Sequence, residues 1–87
     1  MYKEILELKD YCDKIGVVAK KQRLYDGYAL RFENGGDVIQ HSGSYGHAAG
    51  CVEFGGTNSR IDYCATSLKN AKAFVRRNKD KLNREAK

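Results

Sequence analysis

The sequence has no proline and no tryptophan, a single methionine, and three cysteines among 87 residues. Turns must therefore be read from glycine and Asx residues alone. Long apolar runs are missing too. The longest uncharged one, Ile15 to Ala19, is far short of the roughly 20 residues a membrane-spanning helix needs. The opening Met-Tyr-Lys-Glu is charged and leads directly into a helical pattern, so it does not read as a signal peptide. Cys12, Cys51 and Cys64 are odd in number and have no CxxC spacing, which argues against a disulfide framework. Reduced, mostly buried thiols are expected instead. Together these absences predict a cytoplasmic chain with no membrane contact.

What is present fits one domain. A chain of 87 residues split in two would leave pieces too small to bury a useful core. The hydrophobic fraction of 41% suffices for a single compact core. The net charge is +5, and its distribution is uneven. Residues 1–16 carry three Lys against four acids, whereas 17–23 carry Lys20, Lys21 and Arg23 with no acid. Residues 24–66 hold two Arg against five acids, and 67–87 hold eight Lys or Arg against Asp80 and Glu85. A positive field at these two places favours anionic partners, although a cationic face also serves solubility.

Residues 2–15 read as an amphipathic helix, with Ile5, Leu8, Cys12 and Ile15 on one stripe and Gly16 placed to end it. Asp26-Gly27 predicts a two-residue hairpin turn joining a strand at 17–24 to one at 28–33. Tyr28, Leu30 and Phe32 alternate with Ala29, Arg31 and Glu33, as a half-buried strand requires. Asn34-Gly35-Gly36-Asp37 is the next turn. Pairing Glu33 with Val38 across it sets Phe32 against Ile39 in the core and Leu30 against His41 at the core's edge. Residues 42–50 show no buried period and read as a loop or irregular edge. Strands are expected at 51–54, with Val52 and Phe54 inward, and at 60–65, with Ile61, Tyr63 and Ala65 inward. Thr66 or Ser67 then caps a helix at about 67–82 whose inner stripe is Leu68, Ala71, Phe74, Val75, Asn78 and Leu82. Residues 84–87 are expected to fray. The predicted fold is a two-layer α+β domain: a four- to five-stranded antiparallel sheet with an N-terminal and a C-terminal helix packed on one face.

Phosphate-binding motifs are absent. Neither GxxxxGK[ST] nor GxGxxG occurs, and Gly43-Ser44-Tyr45-Gly46 spells GxxG after a strand, not between helices, with no neighbouring cation. His41, His47, Cys51 and Cys64 are zinc-ligand types at spacings that match no familiar pairing, so no metal or other cofactor is expected. His47 and Cys51, four apart, with Asp62 or Glu53 to orient the histidine, are the one nucleophile arrangement that can be drawn. Nothing in the sequence marks an activated thiol, and an enzyme is not expected.

The remaining signals are the basic segments and the loop. Lys69, Lys72, Arg76 and Lys79 fall on one stripe of the last helix, with Arg77, Lys81 and Arg84 on another. Such a surface can meet several phosphates. Leu68-Lys69-Asn70-Ala71-Lys72 resembles the Lys-Lys-x-Ala-Lys that opens the second helix of double-stranded-RNA-binding domains, and the order helix, antiparallel strands, helix is similar in outline. This is an analogy covering that outline and four residues. The resulting expectation is a non-enzymatic protein binding nucleic acid or another anionic partner. Lys69, Lys72, Arg76, Arg77 and Lys79 supply the charge, Lys20, Lys21 and Arg23 add to it if the first strand lies nearby, and Tyr45 and His47 make specific contacts. The alternative is a stand-alone regulator or inhibitor, of the kind a phage or mobile element encodes against host defences. It would act through loop 42–50 on a host protein, or sequester a small nucleotide in a homo-oligomer.

Overall fold

The computed structural model describes residues 2–44, 47–56 and 66–85. Helix α1 (Lys3–Ile15) is followed by strands β1 (Ala19–Leu24), β2 (Gly27–Phe32), β3 (Asp37–Gln40) and β4 (Glu53–Gly55), then helices α2 (Leu68–Arg77) and α3 (Lys79–Leu82). The strands form one antiparallel sheet in the order β1-β2-β3-β4. Thr66 bridges to Val52 beyond β4. The fifth strand expected at 60–65 lies, except for Thr66 beside it, outside the described residues.

The helices share one face of the sheet. Ile5, Leu8 and Cys12 of α1, Ala71 and Val75 of α2 and Leu82 of α3 join Val17, Ala19, Leu30, Phe32, Val38, Val52 and Phe54 in a single core. α1 lies across β1, β2 and β3 and also packs on α2. The Phe74 ring of α2 meets Phe54 of β4 at 4.8 Å between centroids. The expected two-layer α+β architecture is therefore observed, with four strands.

α1 ends as its sequence dictates: Gly16 takes a left-handed φ of 84° and its N–H returns to the Cys12 carbonyl. Its start is less ordinary. The N-cap residue Tyr2 makes no side-chain cap. The buried Gln40 substitutes from β3, its Oε1 accepting the Ile5 N–H at 3.0 Å while its Nε2 donates to Glu4. At the far end Asn83 accepts the Val18 N–H and donates to the Gly16 carbonyl, tying the α1–β1 corner to the last helical turn.

Three local expectations are corrected. The first turn is centred on Tyr25-Asp26, not on Asp26-Gly27, because Leu24 pairs with Gly27 and Tyr25 carries the positive φ of 53°. Gly27 begins β2 and is needed for close approach: a Cβ there would lie 1.9 Å from the Gln40 carbonyl oxygen. The second hairpin pairs Leu30 with Val38, not with His41, so Val38 enters the core and Ile39 turns to the opposite face. The reason is the turn. Gly35 N–H bonds to the Phe32 carbonyl and Phe32 N–H to the Gly36 carbonyl, with Gly35 at φ 90°, which makes a three-residue loop with a bulge. The shift from the expected pairing is odd, and an odd shift exchanges the two faces. Finally, the C-terminal helix breaks at Asn78, whose side-chain amide donates to the Phe74 carbonyl and competes with the backbone ladder. Ser67 caps α2 as expected, accepting the Asn70 N–H.

Candidate functional site

The cations of the C-terminal helices fall into two groups. Lys72 and Arg76 face α1. Lys72 lies 4.0 Å from the Glu7 carboxylate and 5.5 Å from the Tyr11 ring centroid, and Arg76 donates to the Tyr11 hydroxyl at 3.4 Å. Between these helices is a hollow of about 270 Å³ lined by Glu7, Asp10, Tyr11, Lys14 and Lys72. Lys69, Arg77, Lys81 and Arg84 are exposed and form no ion pair among the described residues. Lys79 is exposed as well, its ammonium beside Gly16 at the C-terminal end of α1, where a cation complements the helix dipole.

The basic residues of β1 do not merge with this face, because α1 packs on β1 and on α2 and so stands between them. Lys21 and Arg23 lie 5.5 and 5.3 Å from the Tyr28 ring centroid on the helix side of the sheet, and Arg23 also donates to the Tyr28 hydroxyl. Lys20 points to the other face, opposite Arg31, which is held by Gln22 and Asp37. The basic residues thus form two patches, one on α2 and α3 and one on β1, and the condition for a single field is not met.

The described residues of 42–50 hold local structure on either side of positions 45 and 46. His41 to Ser44 closes a tight turn in which the buried Ser44 hydroxyl accepts the His41 N–H and donates to the His41 carbonyl. A single 3-10 turn, His47–Ala49, follows. His47 Nδ1 is 2.8 Å from the Ser44 carbonyl. A carbonyl can only accept, so that nitrogen carries the proton. The His47 ring lies 6.4 Å from that of Tyr2, at the start of α1. Tyr45, the other expected contact residue, lies outside the described residues.

At the start of this loop the chain forms a hollow to which Tyr25, a residue the sequence reading did not single out, contributes. The Tyr25 ring, 80% exposed at the tip of the β1–β2 hairpin, rests on His41 at 5.1 Å between centroids. Tyr25, His41, Ser42 and Gly43 line a hollow of about 410 Å³, within the usual range for small-ligand sites. Asp26 fixes the rim, accepting the Ser42 N–H at 2.9 Å and the Tyr2 hydroxyl at 2.8 Å. The Ser42 amide, followed by the Tyr2 hydroxyl, holds the Asp26 carboxyl below the usual carboxylate range, and the Asp26 hydrogen bond raises Tyr2. The one advance signal was Tyr25 itself, a bulky aromatic next to Asp-Gly, where small polar residues are the local preference.

Among the described residues no three His, Cys, Asp or Glu side chains group to hold a metal ion. None of the described helices is long and apolar enough to cross a membrane. Burial pushes the Cys12 thiol up to about 11. Comparison with protein-family models, characterised proteins and solved structures found no match to this chain. The double-stranded-RNA-binding analogy gains no support there.

Proposed function

We propose that this is a non-enzymatic binding protein that contacts an anionic partner, nucleic acid before others, through the outer surface of α2 and α3. The observation that carries this reading is the set Lys69, Arg77, Lys81 and Arg84: exposed, close in sequence, and without an ion pair among the described residues. Charges present only to balance the acids of α1 would be engaged as Lys72 is by Glu7. Cations left without a protein partner can replace the counterions of a phosphate chain, and the released ions drive binding. Lys72 and Arg76 border this surface, and Lys21 and Arg23 form a second patch for a partner long enough to reach both.

The test is fluorescence anisotropy with labelled single- and double-stranded oligonucleotides at low and moderate salt. Submicromolar binding that weakens as salt rises, and is lost in the R77E/K81E variant, supports the proposal. Absence of binding at low salt, or unchanged affinity in the variant, overturns it.

A second reading has one observation in its favour. The hollow at Tyr25 and His41 adjoins loop 42–50, the place a regulator or inhibitor would use to hold a host protein or a small nucleotide. Complexes formed there would tolerate salt.

A further inference from the structure

We infer that the hollow lined by Tyr25, His41, Ser42 and Gly43 is a nucleobase-binding site, with Tyr25 as its stacking platform and the His41 imidazole as its hydrogen-bond donor. Four features of the structure converge on it. First, Tyr25 is a large aromatic held 80% exposed, by a residue conformation with φ of 53° that bulky side chains seldom adopt. Gly, Asn or Asp would close this hairpin with less strain, so the ring is displayed against the local backbone preference.

Second, the donor capacity of His41 is fixed. Its Nδ1 accepts the Gly43 N–H at 2.9 Å, which places the proton of the neutral ring on Nε2. The residue is only 8% exposed, and Nε2 has no partner among the described residues. His41 lines the hollow, where an acceptor on a ligand can take this N–H. Third, Gly43 keeps the space beside the ring open: a Cβ there would lie 2.9 Å from His41 Cε1. Fourth, the rim is held in place by Asp26 through Ser42 and Tyr2, so the aromatic and the donor are positioned before a ligand arrives.

A flat, apolar-faced group bearing hydrogen-bond acceptors on its edge matches this pairing, and the nucleobases are that chemistry. The base can come from a free nucleotide or from an unpaired position in a strand. The inference does not depend on the basic surface of α2 and α3.

The experiment is NMR titration of the labelled protein with AMP, GMP, CMP and UMP, and separately with a short single-stranded oligonucleotide. Saturable shifts centred on the Tyr25, Ser42 and Gly43 amides and the His41 ring are expected. The Y25G variant, which removes the ring and relaxes the backbone, weakens binding by at least about fivefold, while Y25F retains it. Shifts with mononucleotides assign a free nucleotide as ligand; shifts only with the oligonucleotide assign an unpaired base in a strand. The same mononucleotide shifts persist in R77E/K81E, so loss of the basic-surface reading leaves this one standing. No response at the hollow to either probe, or an undiminished response in Y25G, overturns the inference.

Discussion

The side-chain carbonyl of Gln40 lies 3.0 Å from the backbone nitrogen of Ile5, 35 residues earlier in the chain. A strand thereby supplies the cap that the first turn of α1 does not supply for itself. Replacing Gln40 by Leu keeps the volume and strands the Ile5 N–H in the core. The expected loss is about 2 kcal/mol, seen as a lower urea midpoint together with faster hydrogen exchange at the Ile5 amide. An unchanged midpoint would show that this cap contributes nothing.

Gly27→Ala has a different cause and a larger effect. The added methyl meets the backbone oxygen of Gln40, not a side chain that can swing away. Separating β2 from β3 at that point should cost about 3 kcal/mol, at the upper end for overpacking. Thermal unfolding reads it, and β2–β3 amides should lose exchange protection.

Acid should weaken the hairpin tip. Asp26 titrates lower in the folded chain than in the unfolded one, so its contribution is complete above the unfolded carboxylate range and disappears as pH falls through the folded value. Tyr2 titrates higher when folded, so its contribution is complete below the unfolded tyrosine value and disappears as pH rises through the folded one. Urea midpoints across pH should fall at both extremes in the wild type and flatten on the acid side in D26N. A D26N profile parallel to wild type would refute the assignment.

The thiols should differ in reactivity. Cys12 is buried and its pKa is pushed to about 11, so alkylation at mildly alkaline pH requires unfolding. Cys51 is half-buried and should react first. Peptide mapping after timed iodoacetamide exposure separates the two, and equal rates would mean that α1 opens readily.

Salt dependence gives the basic surface a number. If Arg77 and Lys81 each neutralise a duplex phosphate, the charge-neutralising R77Q/K81Q variant should weaken binding and reduce the slope of log K against log salt by about 1.8. A slope unchanged by the double variant would place the phosphates elsewhere, with the Lys21 and Arg23 patch the next to alter.

The helices and the half-buried strand β2 were legible because a strong apolar period leaves few choices. Ile5, Leu8 and Cys12 can share a face only as a helix, and Leu30 and Phe32 only as a strand. The β2–β3 register was not legible, since Val38 and Ile39 are adjacent β-branched residues that suit either face equally. The choice between them rests on how Asn34, Gly35 and Gly36 close the turn. Similarly, the exposure of Lys69, Arg77, Lys81 and Arg84 followed from helical spacing, whereas the engagement of Lys72 and Arg76 with Tyr11 depended on where α1 lies. Tyr25 and His41 meet only because β2 pairs with β3 and brings the hairpin tip beside residue 41, a relation no local pattern encodes.

The two hydrogen bonds of Asn83 reach back to Val18 and Gly16, across 65 and 67 positions. During synthesis the corner between the first helix and the first strand therefore stays unclosed until residue 83 has left the ribosome. Leu82, fully buried, arrives in that same stretch. The earlier elements leave the exit tunnel first but receive their last partners late, so the fold closes only once residues 82 and 83 are available and not progressively from α1 onward.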